Sequence, residues 1–509
     1  MNAIAQKLGE RRTSPHLLLS VTCLGIFLAA LDQTVVVTAL PSIITDIRLP
    51  FTKLDQAAWI ITGYLLGYTV AMPIMGRVSD IYGRTRIYVL CLLVFMAGSI
   101  LGALAGSLEW LIGARLIQAM GGGAIVPVAM AMATEVYPSS GRGMALGVIG
   151  AVTEAGGVLG PAYGAVLVEH LGWRWIFWIN LPLGLLILAV FLLLRYQSRP
   201  AQGGSVDYPG ALLIGASLAL LTVALTQEAN DPRPLVYTVL LLGGAALSFG
   251  LFLLREKATS EPLVRLSLFQ SLPFSGANAA NFLVGIALIV AMANLPLFSA
   301  TVLERTPLQG GLTLLRMTVM MPVGAVLGGY LFRRLSYRGT AAIGLMLSAL
   351  GLYLMSRWPI DVGETQMSID AAVAGLGFGL VISPIATTVV NSVAAGQAGI
   401  ASALVTVMRM VGMMVGLPAL TSWGLARFTA LTGDLALPVL LAGESTAEYE
   451  ARVAQYQQVV KQAAATIFNE LFFVAALICL VALLPALLIT LKSRSDSRIA
   501  PTGKGPPAP

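Results

Sequence analysis

Histidine and cysteine are nearly missing from this chain of 509 residues, which has two of the first and three of the second. So few imidazoles and thiols leave no material for a multi-ligand metal centre or a disulfide framework. His16 and His170 also fall on opposite sides of the membrane arrangement derived below, so they cannot share a catalytic site. No Gly-rich Lys loop of the P-loop type occurs, which argues against nucleotide hydrolysis. Charge is scarce too: Asp, Glu, Lys and Arg make up 11% of the chain, against roughly 25% in a soluble protein. A membrane enzyme would need a nucleophile beside a base, or a metal. The chain reads as a non-enzyme with no cofactor.

What fills the space is apolar. Hydrophobic residues are 57% of the chain, enough at about 20 residues per membrane helix for about fourteen spans. Apolar runs bounded by charge, Pro or Gly fall at 17–40, 56–76, 87–106, 110–133, 143–168, 174–195, 208–227, 235–255, 274–299, 311–332, 339–356, 370–392, 399–426 and 466–491. The first run follows Lys7, Arg11 and Arg12 and exceeds the roughly 7–15-residue core of a signal peptide, so it is expected to remain as a helix. Cys23, Cys91 and Cys479 lie inside spans, as small hydrophobes. An even number of spans puts both termini on one side. Loops on that side are rich in Lys and Arg, and those opposite in Asp and Glu, which makes both termini cytoplasmic. The net charge of +7 follows from this topology and gives no case for nucleic-acid binding.

The expected fold is an all-α polytopic membrane protein. Residues 1–195 hold the first six spans, and 196–273 two further spans and a linker. Residues 274–492 hold the last six spans with a long outer segment, 427–465, and 493–509 a disordered cytoplasmic tail. The outer segment contains a polar, helix-compatible run, 447–462, that would carry the flanking spans beyond the bilayer.

The loop after the second span reads GRVSDIYGRTR, with Gly76, Asp80, Gly83, Arg84 and Arg86 at fixed spacing. Gly76 permits close helix approach, Asp80 can sit at a helix N-terminus, and the two arginines line the cytoplasmic face. Span one carries LDQTVVVTALP from Leu31, and span four LIGARLIQAMGGGAIVP from Leu111. Span five carries AVTEAGGVLGPAYG, placing Gly156, Gly157, Gly160, Pro161 and Gly164 on one bent, close-packing helix. Such a helix between the halves would serve as a rocking seam.

These four segments, in this order, resemble the signature loop, first-helix acid, fourth-helix arginine and antiporter Gly-Pro motifs of the major facilitator superfamily, in its fourteen-span drug:proton antiporter branch. The resemblance implies two six-helix bundles related by pseudo-symmetry, with two extra central helices. A degenerate copy of the loop runs from Gly329 to Gly339, with Arg333 at the Asp80 position and Ser336 at the Gly83 position. Within the family, 399–428, the SRWPID segment at 356–361 and the long outer connection are similar to the mycobacterial triacylglyceride exporters. That similarity implies a lipid or amphipathic cargo and an extracytoplasmic lipoprotein as partner.

Six ionisable residues fall within spans: Asp32, Arg115, Glu154, Arg316, Arg409 and Glu470. A charge at the bilayer centre costs about 2.5–3.5 kcal/mol on insertion scales, so such residues pair or face a cavity. Counting about 1.5 Å per residue puts Asp32 and Arg115 at similar depths, with Asp32 the sole acid of its span. Glu154 and Arg409 both come out near the midplane but belong to opposite halves. They are expected to form an interdomain salt bridge that protonation of Glu154 breaks. Asp32, Glu154, Arg409 and Arg115 are therefore the candidate proton-coupling residues. Arg316 and Glu470 are shallower and expected to be structural. Met408, Met410, Met413 and Met414 offer flexible packing beside a cavity. The expected function is proton-coupled export of apolar or amphipathic molecules, lipids first, by a monomer. Export of cationic drugs in exchange for protons is the alternative, and an uncoupled facilitator the remote one.

Overall fold

The computed structural model describes residues 14–49, 54–194, 196, 198, 206–226, 235–259, 262–393, 398–433, 435, 438 and 445–489. The tail expected at 493–509 lies outside the described residues, as do several residues of the outer segment. Among the described residues, fourteen helices are long and apolar enough to cross a membrane. In chain order they are α1 (Pro15–Asp46), α2 (Trp59–Tyr82), α3 (Arg84–Ala103), α4 (Leu108–Val136), α5 (Ser139–Leu171), α6 (Trp175–Leu193) and α7 (Tyr208–Leu225). They continue with α8 (Leu235–Ala258), α9 (Leu272–Thr301), α10 (Pro307–Leu335), α11 (Tyr337–Met355), α12 (Glu364–Asn391), α13 (Ala398–Thr432) and α14 (Thr446–Val481). The face where α1 begins is called proximal below, and the opposite one distal.

Local chemistry sets the helix ends. Ser107 accepts from the Trp110 amide to cap α4, Asp207 from the Gly210 amide to cap α7, and Ser445 and Glu448 form a reciprocal capping box at α14. Internal prolines are distributed by role. Pro41, Pro73, Pro127 and Pro161 interrupt α1, α2, α4 and α5, and Pro296, Pro322, Pro384 and Pro418 interrupt α9, α10, α12 and α13. These are the same four positions in each half. Each proline removes one backbone donor and favours a bend in its helix.

The two halves repeat one packing plan. Within the first, α2 lies on α4, α3 on α4 and α1 on α5; within the second, α10 lies on α12, α11 on α12 and α9 on α13. Small residues set these distances. A Cβ at Gly123 would meet the Tyr68 backbone, and one at Gly351 would meet that of Ala374. The turn between the second and third helices also repeats: Gly83 has φ +98° and Ser336, at the matching place, φ +87°. The second copy of the loop keeps the left-handed turn even where Ser replaces Gly, a conformation that strains a residue with a side chain.

The halves meet along two seams, α5 against α10 and α2 against α13. On the first, Thr318 Oγ1 donates to the Val158 carbonyl over 3.2 Å, Gly311 lies against Pro161 and Ala165, and the Leu308 amide donates to Glu169 over 3.3 Å. All three contacts lie in the distal half of α5. Toward the proximal end Met144 and Val148 on α5, and Val326 and Tyr330 on α10, are exposed.

Candidate functional site

Two arginine–carboxylate pairs define the interior. The first is closed within the N-terminal half. Asp32 on α1 and Arg115 on α4 form an ion pair with both side chains fully buried. Gln118, one turn beyond Arg115, accepts from it at 2.7 Å and donates to Asp32 at 2.8 Å. Asn180 at the start of α6 donates to Asp32 at 2.8 Å, and Ser99 on α3 accepts from both amides. The Tyr64 ring on α2 lies 3.9 Å from the guanidinium carbon. Asp32, the sole acid of its span, thus sits in a network drawn from α2, α3, α4 and α6, and Gln118, Asn180, Ser99 and Tyr64 are members that sequence reasoning missed. A polar residue at a shared depth on a neighbouring span was the one available signal.

The second pair spans the halves. Arg409 on α13 donates to Glu154 on α5 at 2.6 Å, with 41% of the Glu154 side chain and 11% of the Arg409 side chain exposed. Gly285 on α9 packs against the Arg409 carbonyl, which fixes where the arginine leaves its helix. A second interdomain contact lies close by, from the Gln33 amide to the Met410 sulfur over 3.0 Å. Tyr68 on α2 stands within electrostatic reach of both Glu154 and Arg409. Its ring is 5.9 Å from that of Tyr64, so an aromatic step at (i, i+4) separates the two pairs.

Helix α5 lies between the halves as expected, but the glycines of its motif face α1 of their own half. A Cβ at Gly156 would collide with Ala30, at Gly160 with Thr34, and at Gly164 with Val35 and Thr38, all on α1 of the same half. These three glycines, spaced by four, seat α1 on α5. Gly157 faces open space, and its carbonyl accepts from Thr34. Pro161 faces the other half through its carbonyl beside Gly311, as do Glu154 and Val158 of the same segment through Arg409 and Thr318.

At the proximal face Asp80 lies in the last turn of α2, not at a helix N-terminus. Arg84, the first residue of α3, grips it from one turn on, with Nη2 at 2.9 Å from Asp80 and Nη1 at 3.0 Å from Glu135 and 2.8 Å from the Ala131 carbonyl. Gly83 supplies the left-handed turn that points Arg84 back across the loop. Gly76 faces Pro127 on α4, and Arg86 is exposed. Glu135 and Ser198, whose hydroxyl accepts from the Arg84 amide at 2.7 Å, were not anticipated.

The shallow charges pair at the distal face. Glu364 receives Arg316 at 2.6 Å and Arg305 at 2.5 Å, and Glu470 receives Arg427 at 3.3 Å. At about 1.5 Å per residue, the 35 residues of α13 and 36 of α14 outrun a hydrocarbon core of about 30 Å. Lys461 props the α14 extension on Glu304 at 2.9 Å.

A pseudo-symmetric pair of six-helix bundles with buried ion pairs and a two-helix insertion is the architecture of a membrane transporter. The major facilitator superfamily model matches residues 22–417, and the chain belongs to that superfamily. It is 35% identical over 487 residues, covering 92% of this chain and 91% of the other, to a triacylglyceride transporter of Mycolicibacterium hassiacum. It is 38% identical over 421 residues, 80% of this chain and 81% of the other, to the triacylglyceride transporter of Mycobacteroides abscessus. Among solved structures, a bacterial homologue of the human lysosomal transporter Spinster superposes with a TM-score of 0.64 at 17% identity, covering 95% of this chain and 99% of that one. The xylose transporter of E. coli gives 0.53 at 13% identity, over 91% and 98%.

Proposed function

We propose that this protein is a proton-coupled exporter of lipid-like, strongly apolar molecules that works by alternating access. The Glu154–Arg409 pair carries the reading: it joins opposite halves, and its carboxylate is 41% exposed. Protonation of Glu154 removes the ion pair and frees the halves; loss of the proton restores it. Moving one charge across about 100 mV yields roughly 2.3 kcal/mol, enough to drive a modest cargo gradient. The buried Asp32–Arg115 network serves as the second protonatable element in this scheme, and Asp80 and Arg84 close the cytoplasmic gate.

A lipid cargo is supported by the apolar proximal faces of α5 and α10, by the distal extensions of α13 and α14 as an exit surface, and by relatives named triacylglyceride transporters. An extracytoplasmic lipoprotein would receive the cargo there, with the protein a monomer in the bacterial inner membrane, its termini in the cytoplasm. The half-exposed carboxylate of Glu154 favours a second reading, exchange of cationic drugs for protons. The test is transport by protein reconstituted in vesicles with an imposed pH gradient, comparing labelled triacylglyceride with a cationic dye. Gradient-dependent movement of the lipid supports the first reading. Movement of the dye alone supports the second, and lipid movement indifferent to the gradient refutes coupling.

A further inference from the structure

The two seams between the halves are related by the pseudo-symmetry, yet only one is covered. Helix α7 touches both α2 and α13. Its course along α2 is fixed at two depths: the Tyr208 and Tyr82 phenols meet near the proximal face, and a Cβ at Gly215 would lie 3.5 Å from Val70. Ala211, Ile214, Gly215, Leu218 and Thr222 form the inward stripe of α7, spaced by three and four, while Leu212 is 74% exposed on the outer side. Helix α8 backs it, the Ser217 hydroxyl donating to the Ala245 carbonyl at 2.9 Å. Among the described residues no comparable helix lies over the α5–α10 seam.

A polar latch ties this hairpin to both halves. Asp207 caps α7 and receives Arg255 of α8 at 3.1 Å. The next residue, Glu256, is buried and accepts the amides of Leu263 and Val264, which begin the connection to α9. On the other side, Ser198 caps α3 from the segment that leads into α7. A buried carboxylate that gathers two backbone donors is a costly arrangement to undo, so the hairpin is pinned where it lies rather than left to drift in the bilayer.

We propose that the α7–α8 hairpin seals the α2–α13 seam against the bilayer, so that a lipid-like cargo exchanges with the membrane only through the uncovered α5–α10 seam. This rests on the lipid-cargo reading for its purpose, but the seal itself is a property of access that can be measured without transport. The full-length protein is reconstituted in vesicles containing a phosphatidylcholine with a photoactivatable diazirine in its acyl chain, and labelled peptides are mapped by mass spectrometry. In the unmodified protein, label is expected on Met144, Val148, Val326 and Tyr330 and on the outer face of α7, but not on Val70 or Ile74 beneath it. Gly215→Phe should wedge α7 off α2 and raise labelling of Val70 and Ile74 several-fold while leaving the α5–α10 pattern unchanged. A second variant, Val70→Cys with Gly215→Cys in a background where the three native cysteines are replaced, locks α7 to α2 on oxidation and should keep full lipid movement. Labelling of Val70 and Ile74 in the unmodified protein as strong as on Val326, or loss of movement on oxidation that reduction restores, would overturn the seal. Correct labelling in a protein that moves no lipid would leave the seal standing and remove the cargo reading.

Discussion

The two interior ion pairs use the same chemistry in opposite settings. Asp32–Arg115 lies inside one rigid half, with no exposed surface and every neighbour supplied by the same bundle. Glu154–Arg409 lies between halves, with its carboxylate 41% exposed. Removing one member of a sealed pair strands a charge away from water, whereas water can solvate the survivor of an open pair. The first is thus suited to hold a bundle together and the second to be made and broken. Location, more than residue type, decides whether water can reach the charge left behind.

The comparison is broken most severely by Arg115→Leu, which leaves Asp32 buried beside Gln118 and Asn180 without a countercharge. Thermal unfolding in detergent should show a loss of about 3–5 kcal/mol. Asp32→Asn keeps the shape and removes the charge; it should leave the protein inserted but abolish gradient-driven export in vesicles. Undiminished export would remove Asp32 from the coupling scheme.

Next in size is Gly160→Val, which forces a branched side chain against Thr34 and the Leu31 carbonyl and parts α1 from α5. Overpacking of this kind costs about 1–3 kcal/mol. Because the Asp32 network is carried on α1, a fall in melting temperature should accompany loss of export. Gly157→Ala, which meets open space, should do neither.

Arg409→Gln, which leaves the half-exposed Glu154, should lower stability by only about 1 kcal/mol or less, and Glu154→Gln, which strands the largely buried Arg409, by more; both should abolish gradient-driven export. A double-mutant cycle on melting temperature should show coupling between the two. Additive effects would mean that the pair is not formed in the detergent-solubilised protein.

The smallest effect on stability is expected at the proximal loop, where Asp80, Arg84 and Glu135 are partly exposed. Asp80→Asn should cost within about 1 kcal/mol but widen the distance between spin labels placed at the proximal ends of the two halves. Unchanged distances would make the loop a mere charge marker. Shortening the distal extensions of α13 and α14 should likewise leave the core stable while impairing lipid delivery more than dye movement.

Much of this was legible in the chain. Scarcity of charge and long apolar runs give fourteen spans because the bilayer leaves a backbone no alternative to helix. Counting along those spans put Glu154 and Arg409 at one depth, and the structure places them in contact. Counting also matched Asp32 with Arg115 in depth but left the acid unpaired, because depth does not say which way a side chain turns about its helix. Gln118, Asn180 and Ser99 are uncharged and ordinary in a membrane span, so nothing marked them as a shell around Asp32.

The sequence by itself determined the number of helices, the motifs they carry and the residues too costly to bury alone, because those follow from transfer free energies and the helical rise. Tertiary structure decided what those residues do. It turned Gly156, Gly160 and Gly164 toward α1 instead of the other half, put Asp80 at the end of α2 in the grip of Arg84, and preserved a left-handed turn at Ser336 against the residue's own preference. It also enclosed one ion pair and opened the other. Rotation about a helix axis and the approach of distant helices are settled by packing among many side chains at once, which no single segment encodes.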